Sequence, residues 1–275
     1  MAYNKILLAV DVYEKADVVI NSAMAFAKKN NVKKIDVVTV VDCVAPFAPS
    51  VVDFQYTLEK EAKKALEHVK AKITGFEVKA DVLVGNPATE IAAYAEEAKC
   101  DLIVLGSHAK HGLNLVLGSV ANSVLHKAKC DVLTVRVADE DRAAKEYKNI
   151  LIPTDLENDS CIVAKKANEV SALYDGKVDT VFVIPNDSVS LMSYETAKIE
   201  KSLENFVANN QISGDATTLI GSVSNGVLET ADKKATDLIV VGSHRRGAIG
   251  RFFLGSTANG ILHGAKTDVL VVKFK

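Results

Sequence analysis

Two stretches of the chain carry residue types suited to holding an anion. One runs Gly242-Ser-His-Arg-Arg-Gly-Ala-Ile-Gly-Arg-Phe-Phe-Leu-Gly255-Ser256-Thr257. Glycines let a backbone approach a ligand closely and take up positive φ. A helix that begins at its far end offers N–H groups without intrahelical partners and a partial positive charge. Ser256 adds a hydroxyl at the cap, and Arg245, Arg246 and Arg251 add positive charge. Such a loop fits a phosphate. The other stretch, Gly106-Ser-His-Ala-Lys-His-Gly-Leu-Asn-Leu-Val-Leu-Gly118-Ser119, is one residue shorter between its first and last glycines.

Other chemistries are poorly served. His108 and His111 lack a third ligand nearby in sequence for a metal site. His108 matches His244 and His126 matches His263, so a shared structural role is expected for both pairs. No Ser-His-Asp or Cys-His arrangement has a nucleophile elbow around it. Neither stretch is a P-loop of the GxxxxGK[ST] kind, which argues against fast nucleotide hydrolysis. Cys43, Cys100, Cys130 and Cys161 form no CxxC pair and read as thiols of a reducing compartment.

The two loops are parts of a duplication. Asp101-Leu-Ile-Val-Leu-Gly-Ser-His108 recurs as Asp237-Leu-Ile-Val-Val-Gly-Ser-His244, differing only at Leu105 against Val241. Tyr3-Asn-Lys-Ile-Leu-Leu-Ala-Val-Asp11 recurs as Tyr147-Lys-Asn-Ile-Leu-Ile-Pro-Thr-Asp155, and segments 118–135 and 255–272 share most of their residues. Repeats of this length are whole domains rather than solenoid units. The expected organisation is one domain over 1–138, a charged linker over 139–146 and a second domain over 147–275.

Each copy alternates short apolar runs with amphipathic segments. In the first, strands are expected at 5–10, 35–41, 78–84, 101–105 and 132–137. Helices are expected at 15–30, 56–73, from Pro87 to about Lys99, and at 119–128. Asn86 caps the third of these and Pro87 opens it. Residues 43–54 read as a surface loop, with a lid over the first site as the alternative. In the second copy strands fall at 149–153, 178–184, 216–220, 237–241 and 268–273. Apolar runs without alternation suit strands buried on both faces, and alternating β and α implies a parallel sheet between helices. Ligands of such sheets bind at the carboxyl ends of the strands, where the strand order reverses.

The chain has 275 residues, 48% of them hydrophobic and 25% charged, with a formal net charge of -2. That gives ample core for two domains. It lacks the basic excess of a nucleic-acid binder, a run long enough to span a membrane and the features of a signal peptide. A cytosolic protein is expected.

With its duplicated loops, the sequence resembles the universal stress protein family in tandem two-domain form, over nearly its whole length. The resemblance implies a five-stranded parallel sheet of order 3-2-1-4-5 in each domain. It also implies an adenine nucleotide such as ATP, with Mg2+ as a companion of the phosphates. Nucleotide-binding members carry G-x2-G-x9-G-[S/T] after strand four, an Asp ending strand one, often as Pro-Thr-Asp, and a hydrophobic residue at the end of strand two that frames adenine. The second copy matches at Pro153, Thr154, Asp155, Val183, Gly242, Gly255 and Ser256, followed by Thr257. It departs at the second glycine, Arg245, whose side chain either crowds the phosphates or contacts them. The first copy is more distant, with Ala9 and Asp11 ending strand one, Val40 at the adenine position, and Gly106, Gly118 and Ser119 in a shortened loop where Ala109 replaces the second glycine. Shortened loops of that kind resemble members that do not bind.

The resemblance therefore implies a stress-response sensor or regulator with a nucleotide and an unidentified protein as partners. Two alternatives are a degenerate interaction or chaperone-like module without nucleotide, and a slow ATP-hydrolysing enzyme. The last strands, Val132–Val137 and Val269–Val272, would be apolar edges if left open. In the family such strands pair between protomers, so pairing of the two copies within one chain is expected, with a further homodimer open.

Overall fold

The computed structural model describes residues 3–14, 16–42, 49–107, 117–137, 143–186, 192–245 and 252–274; for 49–54, 192–196, 244, 245, 252 and 253 only the main chain is described. The chain divides into two compact units between Ala144 and Lys145.

In the first unit the order is β1 (Ile6–Ala9), α1 (Asp17–Lys29), β2 (Lys34–Val41), α2 (Pro49–Lys72), β3 (Glu77–Val84), α3 (Pro87–Glu97), β4 (Leu102–Gly106), α4 (Ser119–Lys127) and β5 (Asp131–Val135). The strands lie side by side as β3-β2-β1-β4-β5, all parallel. The second unit repeats the plan with β6 (Asn149–Pro153), α5 (Ser160–Leu173), β7 (Lys177–Ile184), α6 (Met192–Asn209), β8 (Ala216–Ile220), α7 (Val223–Lys233), β9 (Leu238–Arg245), β10 (Phe252–Phe253), α8 (Ser256–Gly264) and β11 (Asp268–Lys273). Its parallel order is β8-β7-β6-β9-β11. Both units thus have the 3-2-1-4-5 order.

The central strands are buried on both faces: Ile6, Leu7, Leu8, Leu102, Ile103 and Val104 in one unit and Ile150, Leu151, Leu238, Ile239 and Val240 in the other are fully enclosed. That explains their lack of alternation. Polar groups among them are satisfied in the same way twice. The Tyr3 hydroxyl donates to Asp131 Oδ2 (2.7 Å) and the Tyr147 hydroxyl to Asp268 Oδ2 (3.0 Å). Asp101 receives the main-chain N–H groups of Asn4 and Lys5, and Asp237 those of Lys148 and Asn149. Each of these aspartates ties the start of one strand to its neighbour.

Asn86 caps α3 as expected, its Oδ1 accepting from the Thr89 N–H at 3.1 Å, with Pro87 opening the helix. Three expectations need correction. The second half of the loop assigned to 43–54 is helical, because α2 begins at Pro49; residues 43–48 lie outside the described residues. The strand expected at 132–137 ends at Val135. The strand expected at 237–241 runs on through Arg245, where it folds against β10 as an antiparallel pair, Arg245 opposite Phe252 and His244 opposite Phe253. Within the linker assigned to 139–146, Lys145 donates to Thr267 Oγ1 (2.7 Å) in the second unit; residues 138–142 are outside the described residues. No described helix is long and apolar enough to cross a membrane.

Candidate functional site

In the second unit the chain turns back at β6, with β7 and β8 on one side and β9 and β11 on the other. The strand order reverses between β6 and β9, and in such sheets ligands bind outside the carboxyl ends of the strands at that point. Pro153 ends β6 opposite Val181 of β7, and the Thr154 N–H continues the ladder by donating to the Val181 carbonyl (3.0 Å). Asp155 follows, exposed, just beyond the carboxyl end of β6.

A tight turn holds Asp155. The Leu156 N–H donates to Thr154 Oγ1 (3.0 Å), and Leu156 takes a left-handed φ of 62°. Asp155 Oδ1 then receives the Glu157 N–H (3.1 Å) and the Ser160 hydroxyl (2.7 Å). A β-branched hydroxyl, an acceptor and a second hydroxyl at the first residue of α5 together fix a carboxylate at the mouth of the sheet. The first unit keeps less of this. Asp11 Oδ1 receives the Tyr13 N–H (2.9 Å), but Val10 stands in place of Thr154 and Ala16 in place of Ser160.

The helix start is built twice. Gly255 is the N-cap of α8 with φ -59° and ψ 157°, and Gly118 is the N-cap of α4 with φ -63° and ψ 151°; being glycines, neither supplies a capping side chain. Ser256 is therefore the first residue of its helix, not the cap expected of it, and Ser119 opens α4 as expected of the helix at 119–128; both are exposed. Thr257 follows half-buried. A helix start of this kind presents first-turn N–H groups and a partial positive charge, the features that suit an anion.

Two motif positions have a packing role that their types did not disclose. Gly242 lies inside β9, paired with Val272. A Cβ there would run into the Phe274 ring and come within 3.0 Å of Val163 Cγ2. Gly106, at the matching place, would meet Val137 Cγ2 at 3.2 Å and Val19 Cγ2 at 3.3 Å. Val183, expected to frame adenine, is buried with its methyls against α7: a Cβ on Gly226 would lie 3.0 Å from Val183 Cγ2. Val40 occupies the same register position, two residues beyond the partner of Ala9, and is half-exposed.

Arg245 lies on β9, with only its main chain described; Arg246, Arg251, His108, Ala109 and His111 lie outside the described residues. Among the described residues no group of three or more His, Cys, Asp or Glu could hold a metal ion. A cavity of about 340 Å³ lies at the other end of the second unit's sheet, lined by Leu228, Asp232, Thr236, Ala265, Lys266 and Thr267. These residues sit where α7 and α8 end and β9 and β11 begin. The cavity is lined by neither Asp155 nor Gly255, and strand direction favours the carboxyl end of the sheet for a ligand.

The family model described as the universal stress protein family matches residues 2–136 and again 146–273. Universal stress protein A homolog 1 of Coxiella burnetii is 37% identical over 142 residues, a match covering 49% of this chain and 97% of the relative. Universal stress protein MJ0577 of Methanocaldococcus jannaschii is 32% identical over 154 residues, covering 49% of this chain and 95% of the relative. Such relatives correspond to one copy of the duplication. The crystal structure of a universal stress protein from Archaeoglobus fulgidus shares the fold over 99% of both chains, with a TM-score of 0.75 at 21% identity.

Proposed function

The chain belongs to the universal stress protein family, and on that premise we propose that its second unit binds an adenine nucleotide and acts as a stress-response sensor or regulator. The observation carrying this reading is a carboxylate held by the Glu157 N–H and the Ser160 hydroxyl just after β6, in a unit whose α8 starts on a glycine after the neighbouring strand β9, where the strand order reverses. The α8 N-terminus and Gly255 would take the phosphates, with the first-turn N–H groups of Ser256 and Thr257 donating to them. Asp155 would accept hydrogen bonds from the sugar or base. With the Val183 side chain committed to α7, a base at the end of β7 would meet main chain rather than methyls. Gly242 supports the site by letting β9 pack under Phe274, not by touching ligand. Mg2+ would arrive with the phosphates.

The reading places signalling in occupancy and not in turnover, because no lysine of P-loop type accompanies the glycine loop. The first unit fits a weaker or non-binding role: Asp11 lacks the two hydroxyls that surround Asp155, and its loop is shorter.

Thermal-shift titration of the full chain with ATP, ADP and AMP, with and without Mg2+, tests the proposal. A rise in melting temperature with nucleotide is expected, by mass action on the folded state. Phosphate release over hours, measured on the same samples, should stay at the level of ATP alone. A melting temperature unmoved by any of the three nucleotides contradicts the reading, and turnover in proportion to protein favours the slow hydrolase.

A further inference from the structure

The two units carry the same aspartate but hold it differently, and one part of the difference is a hydroxyl on α5. Ser160 is the first residue of that helix, and its hydroxyl donates to Asp155 Oδ1 at 2.7 Å, across a five-residue turn. The Glu157 N–H donates to the same oxygen at 3.1 Å. The Ser160 N–H is itself tied to the Glu157 carbonyl (3.0 Å), so the turn closes on itself. Leu156, at a φ of 62° that a branched residue seldom adopts, is the strained link that lets the chain double back. Thr154 Oγ1 steadies that link through the Leu156 N–H. At the matching places the first unit has Ala16, which bonds nothing through its side chain, and Val10.

We propose that Ser160 is a positioning residue for the nucleotide site of the second unit, and that it contributes to the difference in affinity between the two units. The inference rests on the proposed nucleotide reading and deepens it. Ser160 touches no ligand in this account. It fixes one carboxylate oxygen of Asp155, so that the carboxylate meets its ligand already oriented and loses less rotational freedom on binding. A neutral donor to a carboxylate at a partly exposed site contributes about 1 kcal/mol. That is about fivefold in affinity when the carboxylate must be held still to bind.

The test uses the full-length chain and ATP, by calorimetric titration, together with amide hydrogen exchange. Ser160→Ala should weaken ATP about fivefold, and Ser160→Thr, which keeps the hydroxyl, should stay close to the unaltered protein. In an Asp155→Asn background, Ser160→Ala should have little further effect. Without nucleotide, Ser160→Ala should speed exchange of the Glu157 amide, since that amide shares the oxygen the serine holds. Unchanged exchange at Glu157 overturns the inference whether or not ATP binds. So does an unchanged affinity in Ser160→Ala, or a full additional loss in the Asp155→Asn background. Failure of the unaltered chain to take up ATP contradicts the nucleotide reading instead, and leaves the exchange result to decide the role of Ser160 in the turn.

Discussion

Gly242 lies beneath the ring of Phe274, so closely that any side chain at Gly242 would drive into the ring edge. The same Cβ would press on Val163 of α5 at 3.0 Å. The first glycine of the loop motif is thus a packing glycine, placed where a helix and the last residues of the unit cross a central strand.

Gly242→Ala should therefore destabilise the protein by about 1–3 kcal/mol in the absence of any ligand, the usual range for overpacking. Gly106→Ala, whose nearest contacts are two valine methyls at 3.2 and 3.3 Å and no ring, should cost less. Urea unfolding with amide exchange in β9 reads both. Phe274→Leu combined with Gly242→Ala should recover much of the loss. An equal loss with either residue at 274 would show that the ring is not the obstacle.

The buried Tyr147–Asp268 pair makes a second stability prediction. Asp268 is fully enclosed, and the Tyr147 hydroxyl is one of its donors at 3.0 Å. Tyr147→Phe should cost roughly 1–3 kcal/mol, the range for depriving a buried acceptor of a hydrogen-bond partner. Asp131, the counterpart facing Tyr3, is 9% exposed and reaches water more readily, so Tyr3→Phe should cost less. Equal losses at the two places would show that burial of the carboxylate does not govern the effect.

Burial pushes the Cys100 thiol up to about 11, with Lys5 opposing and Asp36 and Asp101 reinforcing the rise. The thiol is therefore neutral at physiological pH and a poor nucleophile, which favours packing over redox chemistry with Cys130. In mass-spectrometric alkylation at pH 7.5, exposed Cys161 should react first and Cys100 last of Cys100, Cys130 and Cys161. A thiol with a raised folded-state value stabilises the fold below its unfolded value. That contribution is lost as pH rises from about 9 through about 11. Cys100→Ala should flatten the stability profile in that window. Rapid alkylation of Cys100 at pH 7.5, or a disulfide to Cys130 after mild peroxide, would contradict the packing role.

Most of the architecture was legible because duplication doubled every signal. A buried strand such as Leu102–Gly106 is ambiguous alone, but its copy at Leu238 carries the same pattern in the same place. Asn86 and Pro87 announced a helix start by chemistry that is local. Pro49 offered the same kind of signal for α2, and the polar pattern from residue 56 obscured it. The extension of β9 was not legible, since a two-residue partner at Phe252–Phe253 leaves no periodicity. The packing role of Gly242 depends on Phe274, far along the chain. Ser160 escaped for a similar reason: its bond to Asp155 exists only through the left-handed turn at Leu156, which no residue type there foretells.

The central claim is that one chain holds one strong nucleotide site, in the second unit, at the start of α8. Native mass spectrometry of the full chain titrated with ATP tests it most directly, using the unaltered protein, Gly255→Val and Gly118→Val. A branched residue at either N-cap would crowd a phosphate at the helix start. The account predicts one tightly bound nucleotide in the unaltered chain, loss of most binding in Gly255→Val and near-normal binding in Gly118→Val. Equal losses in the two variants, or binding that survives Gly255→Val, would contradict it.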